Sequence, residues 1–264
     1  MDFSRSRALA SAFLELAEVG STNDELVSRA SRAQLPEFTV LVTLNQTTGR
    51  GRLGRVWVAP PGQALAVSVL LRPGPAVGLD RYGWIPLIAG LAMARAVRSV
   101  LPKTSVTDVS LKWPNDVLIS GRKVSGLLSE LLPGGTDVVV GAGLNLTIPE
   151  ESLPVPTATS LLLAGAVGAD LADVALAAYL TELQALWGAY RDAGGDATAS
   201  GIRAGVTREC STLGQLVRVS LPDGRSLLGT AEDLDDSGQL RIRTASDAPL
   251  QTVAAGDITH LRYE

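Results

Sequence analysis

Thr48-Gly49-Arg50-Gly51-Arg52-Leu53-Gly54-Arg55-Val56-Trp57 sets three arginines among three glycines in a chain of acidic balance. Glycine lets backbone approach a ligand closely, and arginine offers a planar fork of donors for carboxylate or phosphate. Such a loop can wrap a small anion with main-chain N–H groups and guanidinium groups together. Residues 49–54 also match G-x-G-x-x-G, the dinucleotide-binding fingerprint, which requires a helix directly after its last glycine. Here Gly54 runs into Arg55-Val56-Trp57-Val58-Ala59-Pro60-Pro61-Gly62, an extended piece ending in a proline-glycine turn. No helix can begin there. A doubly wound nucleotide-binding fold is therefore rejected.

The whole chain narrows the classes further. Its 264 residues allow one large domain, or a large one with a small one, and 46% hydrophobic with 19% charged residues describe a globular protein. A net charge of −4 and a pI near 5.2 provide no basic field for general nucleic-acid binding. The single cysteine, Cys210, excludes an internal disulfide and a cysteine-rich zinc site and reads as a small buried hydrophobe. The single histidine, His260, would have to carry triad or multi-histidine chemistry alone. Arg5 and Arg7 ahead of Ala8–Leu14 faintly suggest a signal peptide, but Glu15 and Glu18 interrupt it and no cleavage pattern follows. No stretch reaches the roughly 18 apolar residues of a membrane span, so a cytoplasmic protein is expected.

Periodicity and punctuation give an α+β order. Thr22-x-x-Glu25 is a capping-box pattern that opens a helix running to about Ala33. Phe38–Leu44 and Ala64–Leu71 read as buried strands, and Trp84–Leu101 as a buried helix with Pro86 in its first turn. Val109–Trp113 is a strand and Pro114-Asn115-Asp116 a turn. Val117–Ile119 and Lys123–Leu132 form a hairpin around Ser120-Gly121, and Asp137–Ile148 adds a strand. Helices are expected at about 161–166, 171–191 and 199–209. From about Ser211 short strands at 216–221, 226–233, 239–243 and 258–262, divided by turns, indicate a small β-barrel. The expected architecture is a mixed-sheet domain over 1–210 and a β-barrel domain over 211–264.

Two further stretches carry chemistry. Lys112-Trp113-Pro114-Asn115-Asp116 is followed by Lys123-Val124-Ser125-Gly126-Leu127, while Gly20-Ser21-Thr22-Asn23 lies upstream and Gly141-Ala142-Gly143-Leu144-Asn145 downstream. Each has a plain reading: a lysine stem on an indole, turn composition, helix caps, or a strand thinned for packing. Taken in order with the glycine–arginine loop, they resemble the biotin–protein ligase family. Only about 20 residues precede Ser21, too few for a helix-turn-helix domain, so the likeness is to members without the N-terminal DNA-binding domain.

The resemblance implies a class II synthetase-like catalytic domain, a C-terminal SH3-like barrel, and ATP-dependent formation of biotinyl-5'-AMP. Transfer to a lysine of a biotin carboxyl carrier domain follows. ATP and Mg²⁺ would be required, biotin would be a substrate, and a monomer or weak homodimer is expected. Lys123, Arg52 and Lys112 would be catalytic. Ser21, Thr22, Asn23, Gln46, Gly49, Arg50 (through its main chain), Arg52, Trp57, Lys123 and Gly126 would bind biotin. Arg52, Arg55, Lys112, Asn115, Asp116, Lys123 and Asn145 would bind ATP, with Asp116 at the metal. Two other readings stand beside it: a lipoate–protein ligase-like enzyme, and a non-catalytic sensor of biotin or nucleotide. The loop itself, glycine-rich and triply cationic, is expected to be open and exposed until an anion binds.

Overall fold

The structure, a computed structural model, describes residues 2–103, 108–221, 224–245, 248–254 and 257–260. Its centre is a seven-stranded sheet in the order β1-β2-β5-β9-β8-β7-β6. These strands are β1 (Ala12–Glu15), β2 (Thr39–Thr43), β5 (Ala64–Leu71), β6 (Val109–Lys112), β7 (Asp116–Ile119), β8 (Arg122–Leu131) and β9 (Val138–Asn145). Only β1 and β2 run parallel, so the sheet is mixed.

Side chains alternate between the two faces of a strand. Val40, Val42, Leu65, Val67, Val69, Val138, Val140 and Ala142 join the main core, against α3 (Trp84–Val100) and α4 (Leu171–Asp192). The opposite face divides along its length. At one end Leu41, Leu70 and Val139 pack on Leu26 of α2 (Thr22–Arg32). At the other, the alternation places Ala64, Ala66, Ser68, Gly141, Gly143 and Asn145, which are small or polar. That end cannot seat a helix by hydrophobic burial. It is covered instead by a two-stranded ribbon, β3 (Gly49–Arg50) and β4 (Val56–Trp57).

Several expectations are corrected by local chemistry. The cap of α2 is Ser21, whose Oγ accepts the Asp24 N–H at 3.3 Å, so the capping pattern is displaced by one residue. Glu25 pairs with Arg29 instead of reaching back. Asp116 begins a strand rather than ending a turn. Residues 161–166 form one turn, not a helix, because Gly165 takes φ +90° and the Ala166 N–H closes back on the Leu161 carbonyl. The helix expected from Ala199 begins at Ile202 (α5, Ile202–Glu209), since the Asp196 carboxylate accepts from Thr198 and Ala199 N–H and fixes a turn there. The glycine–arginine loop has an exposed tip at Leu53, around which the Gly51 N–H donates to the Arg55 carbonyl at 2.7 Å, with φ of 55° at Leu53 and 74° at Gly54.

The N-terminal stretch holds a short helix, α1 (Ser4–Arg7), and edge strand β1, neither of which the sequence patterns announce. Asp173, 1% exposed, accepts from Ser6 N, Ser6 Oγ and Arg5 N, which ties α1 to α4. Among the described residues the C-terminal strands β10 (Leu216–Ser220), β11 (Ser226–Leu234), β12 (Leu240–Arg243), β13 (Gln251–Val253) and β14 (Asp257–His260) form an antiparallel sheet in the order β13-β12-β11-β10-β14. Among the described residues β13 and β14 are not paired with each other, so these strands form an open sheet. Parts of the turns at 222–223 and 255–256, and the strand end at 261–262, lie outside the described residues. No described helix is long and apolar enough to cross a membrane.

The C-terminal sheet docks through its 235–238 turn. Trp84 Nε1 donates to the Asp236 carbonyl at 2.8 Å, and Trp113 Nε1 to the Gly238 carbonyl at 3.2 Å. Gly83 admits this approach: a Cβ there would stand 2.2 Å from the Ser237 oxygen, although its φ of −60° suits any residue. Gly83→Ala is therefore expected to lose about 1–3 kcal/mol of stability through overpacking alone. Urea unfolding measures this, and an unchanged midpoint would show that the docking is looser than described.

Candidate active site

The β7–β8 hairpin builds the charged centre. Ser120 and Gly121, with φ of 49° and 76°, make its tight turn, and an irregularity after Val117 shifts the register by one. Asp116 comes opposite Gly126, and the Lys123 side chain lies back across the strand to place Nζ 2.6 Å from Asp116 Oδ1. Gly126 makes room for this: a Cβ there would stand 2.9 Å from Lys123 Nζ and 3.5 Å from Asp116 Oδ1. The Lys123 main chain is clamped from outside, its N–H donating to Thr157 O and its carbonyl accepting from Thr159 N–H.

Arg52 enters from the ribbon and donates to Asn115 Oδ1 at 3.2 Å, while Asn115 Nδ2 donates to the Leu127 carbonyl at 2.6 Å. Arg52, Arg55, Trp57, Asn115, Asp116, Lys123 and Gly126 thus line one cavity of about 140 Å³. A second cavity of about 200 Å³ lies behind Asn115 and Arg52, closed by Trp113 and by Ser237, Gly238 and Gln239 of the C-terminal turn.

A neutral polar cluster sits beside the charged one, under the ribbon. Residues 19–20 zip onto 46–48, with Thr47 N–H donating to Val19 O and Thr48 N–H to Gly20 O. That brings Gln46 to the start of α2, where its Oε1 accepts from both the N–H and the hydroxyl of Thr22. Gly49 is needed here as well: a Cβ would stand 2.5 Å from Gln46 Nε2. The Trp57 indole lies on Gly143, where a Cβ would come within 2.7 Å of the ring. Asn23 likewise fills the space that a side chain at Gly141 would occupy. The two glycines of the Gly141-Ala142-Gly143 stretch are therefore places for other side chains to lie.

Some expected residues fall elsewhere. Lys112 pairs in register with Asp116 on β6 but does not line the 140 Å³ cavity, and neither does Asn145. Asn145 is buried and donates to the Thr159 carbonyl, bracing the segment that clamps Lys123. The Asn23 amide is fully engaged, donating to Leu128 O and Glu130 and accepting from Ser68 Oγ. Ser21 spends its hydroxyl on the cap. Motif reading missed Glu130, Asp24, Ser68 and Trp84, whose partners are distant in sequence. Burial pushes the Cys210 thiol pKa up, consistent with an inert residue. No group of three metal-binding side chains occurs among the described residues.

A glycine-thinned sheet, a neutral polar nook and an adjoining cavity with two arginines and a lysine suit a small ligand with a neutral polar part and an anionic part. The family profile described as Biotin/lipoate A/B protein ligase matches residues 16–145, and that of the Biotin protein ligase C terminal domain matches residues 212–261. A biotin--[acetyl-CoA-carboxylase] ligase of Mycobacterium tuberculosis is 38% identical over 249 residues, covering 94% of this chain and 88% of its own. This chain belongs to the biotin protein ligase family. Among solved structures, the Aquifex aeolicus biotin protein ligase in complex with biotin and ATP is similar at TM-score 0.73 and 26% identity, covering 96% of this chain and 100% of that one. The Leishmania major ligase in complex with biotinyl-5-AMP is similar at TM-score 0.60 and 28% identity, covering 92% and 98%.

Gly126 offers a test that separates site from fold. The atom a new Cβ would meet is the free end of a lysine, so Gly126→Ala should hold its melting temperature within about 3 °C. The displaced ammonium should nevertheless lower ligase turnover by on the order of 10²-fold, as misplacement of about 1 Å can. Turnover within threefold of wild type would contradict the placement of Lys123.

Proposed function

We propose that this protein activates biotin with ATP and transfers it to a specific lysine of a biotin carboxyl carrier domain. The observation that carries this is the convergence of Lys123, Arg52 and Asn115 on one cavity beside the neutral Thr22–Gln46 nook. Family membership supports it, as does the ATP- and biotin-bound relative of the same fold.

The chemistry follows from charge. The biotin carboxylate is ionised at neutral pH and needs no base. Its oxygen attacks the α-phosphorus, the bond to the bridging oxygen breaks, and pyrophosphate leaves with that electron pair. The obstacle is repulsion between two anions, which preorganised cations relieve most effectively. Lys123 is assigned to the carboxyl and α-phosphate oxygens, and Arg52 to a bridging contact with both. Arg55 and Lys112 are assigned to the phosphates, and Asp116 to Mg²⁺ bound with the nucleotide. Thr22, Gln46 and the Arg50 main chain suit the ureido ring, whose donors and acceptors want neutral polar partners. In the second step a carrier lysine amine attacks the acyl carbon and AMP departs with the former carboxylate oxygen.

We further assign catalysis to residues 1–210 and a separate module to 211–264. The chain crosses between them where the Ser211 N–H and Oγ both donate to the Leu111 carbonyl, beside the 112–116 motif.

Mass spectrometry of the products after incubation with ATP, Mg²⁺ and either biotin or lipoate tests the reading. Biotinyl-5'-AMP is expected, with no lipoyl adduct. A lipoyl product would turn the assignment to lipoate ligation, and ligand binding without any adenylate would leave a sensor. Arg52→Gly should bind the adenylate roughly tenfold or more less tightly, through loss of a charged contact. Biotin would then appear on albumin lysines in streptavidin blots when the carrier is absent. A silent Arg52→Gly lane, with wild-type adenylation intact, would remove Arg52 from retention.

A further inference from the structure

The Arg50 side chain does not line the cavity; it turns outward from the ribbon. One nitrogen, NH2, donates to both carboxylate oxygens of Glu130 at 2.7 Å and also pairs with Asp24 of α2. Glu130 is itself held from beneath. Asn23, 4% exposed, donates to Glu130 Oε2 at 2.7 Å and to the Leu128 carbonyl at 3.1 Å. Its Oδ1 accepts from Ser68 Oγ at 2.6 Å, and Ser68 belongs to the central strand β5. An unbroken line of polar contacts therefore runs from the sheet core through α2 and β8 to the ribbon.

We propose that Arg50 is a positioning residue, a latch by which Glu130 and Asp24 hold the β3–β4 ribbon over the site and so lengthen retention of the acyl-adenylate. The retention clause rests on the adenylating reading; the latch itself does not. An isolated exposed ion pair contributes little, because two mobile side chains must be ordered to make it. Here the acceptor is already fixed by a buried amide, so most of that ordering is complete before Arg50 arrives. Asn23 acts through Glu130 in the same way and is a positioning residue rather than a biotin contact. The ribbon buries little apolar surface of its own, since Leu53, Val56 and Val58 are exposed and each of its strands is two residues long; Arg50 adds to the Arg52–Asn115 bond and to Trp57 lying on Gly143. Opening at Arg50 would carry away Arg52 and Trp57, which follow on the same ribbon.

Hydrogen exchange of the full chain without ligand tests the latch directly. In Arg50→Met, and in Glu130→Gln, which keeps an acceptor for Asn23, amides of residues 49–57 should exchange about fivefold faster. The double variant should be no faster than Arg50→Met alone, because that variant already removes the contact with Glu130 as well as the one with Asp24. Residues 138–145 should be unchanged, and about 1 M salt should bring the wild-type ribbon toward the variants. Ribbon exchange at the wild-type rate in Arg50→Met, additive effects, or a uniform rise across the chain would each overturn the latch. The second arm measures dissociation of preformed biotinyl-5'-AMP from Asp24→Asn, expected to be several-fold faster than wild type; an unchanged rate would overturn the retention role. If the ribbon loosens but the wild type forms no adenylate, the function assignment falls and the latch stands. If adenylate forms and the ribbon does not loosen, the latch alone falls.

Discussion

The contact between Lys123 and Asp116 governs the arrangement around it. An ammonium 2.6 Å from a carboxylate is directed toward one side of the cavity, and positioned positive charge is what a reaction between two anions requires. Holding it takes a hairpin with left-handed residues at its turn, a register irregularity after Val117, and an empty Cβ position at Gly126. The neighbouring segment 157–159 and Asn145 then lock the Lys123 main chain. Each of these features would be a mild defect in a sheet built only for stability. Together they aim one side chain.

The same logic explains the divided face of the sheet. One end is hydrophobic and seats α2, while the other is pared down to alanine, serine and glycine and is roofed by a short ribbon. The apolar burial that fixes α3 and α4 is missing under that ribbon, so its position depends on polar contacts and on Trp57 lying across Gly143. A ligand pocket needs such a region, since a well-packed face would leave no room. The C-terminal sheet adds a second support, its 235–238 turn accepting from the indoles of Trp84 and Trp113 directly behind the Asn115 segment.

Much of the fold was legible because burial writes itself locally. Ala64–Leu71 was read to its true ends from an uninterrupted apolar run, and Trp84–Val100 was overrun by a single residue. Strand β1 escaped, being a four-residue edge element with no fully buried position. The turn at 161–166 was mistaken for a helix because its leucines and alanines favour one and only the φ of Gly165 forbids it. Motif order singled out Lys123, Asp116, Asn115 and Arg52, which lie on one hairpin and one loop and line one cavity. What could not be read was pairing across distance. The reasons for Gly141 and Gly143 are Asn23 and Trp57, and the side-chain partners of Arg50 lie on two other elements. The place of Asn23 in its motif is visible in the sequence, while its buried bonds to Ser68, Leu128 and Glu130 are not.

The most direct measurement is biotin-dependent exchange of labelled pyrophosphate into ATP with no carrier present, which isolates the first chemical step from transfer. Wild type should sustain it, and Lys123→Met should fall by on the order of 10²–10³-fold while still binding biotin in calorimetry. Exchange by Lys123→Met within a few-fold of wild type would contradict the claim that this fixed ammonium is the centre of the site.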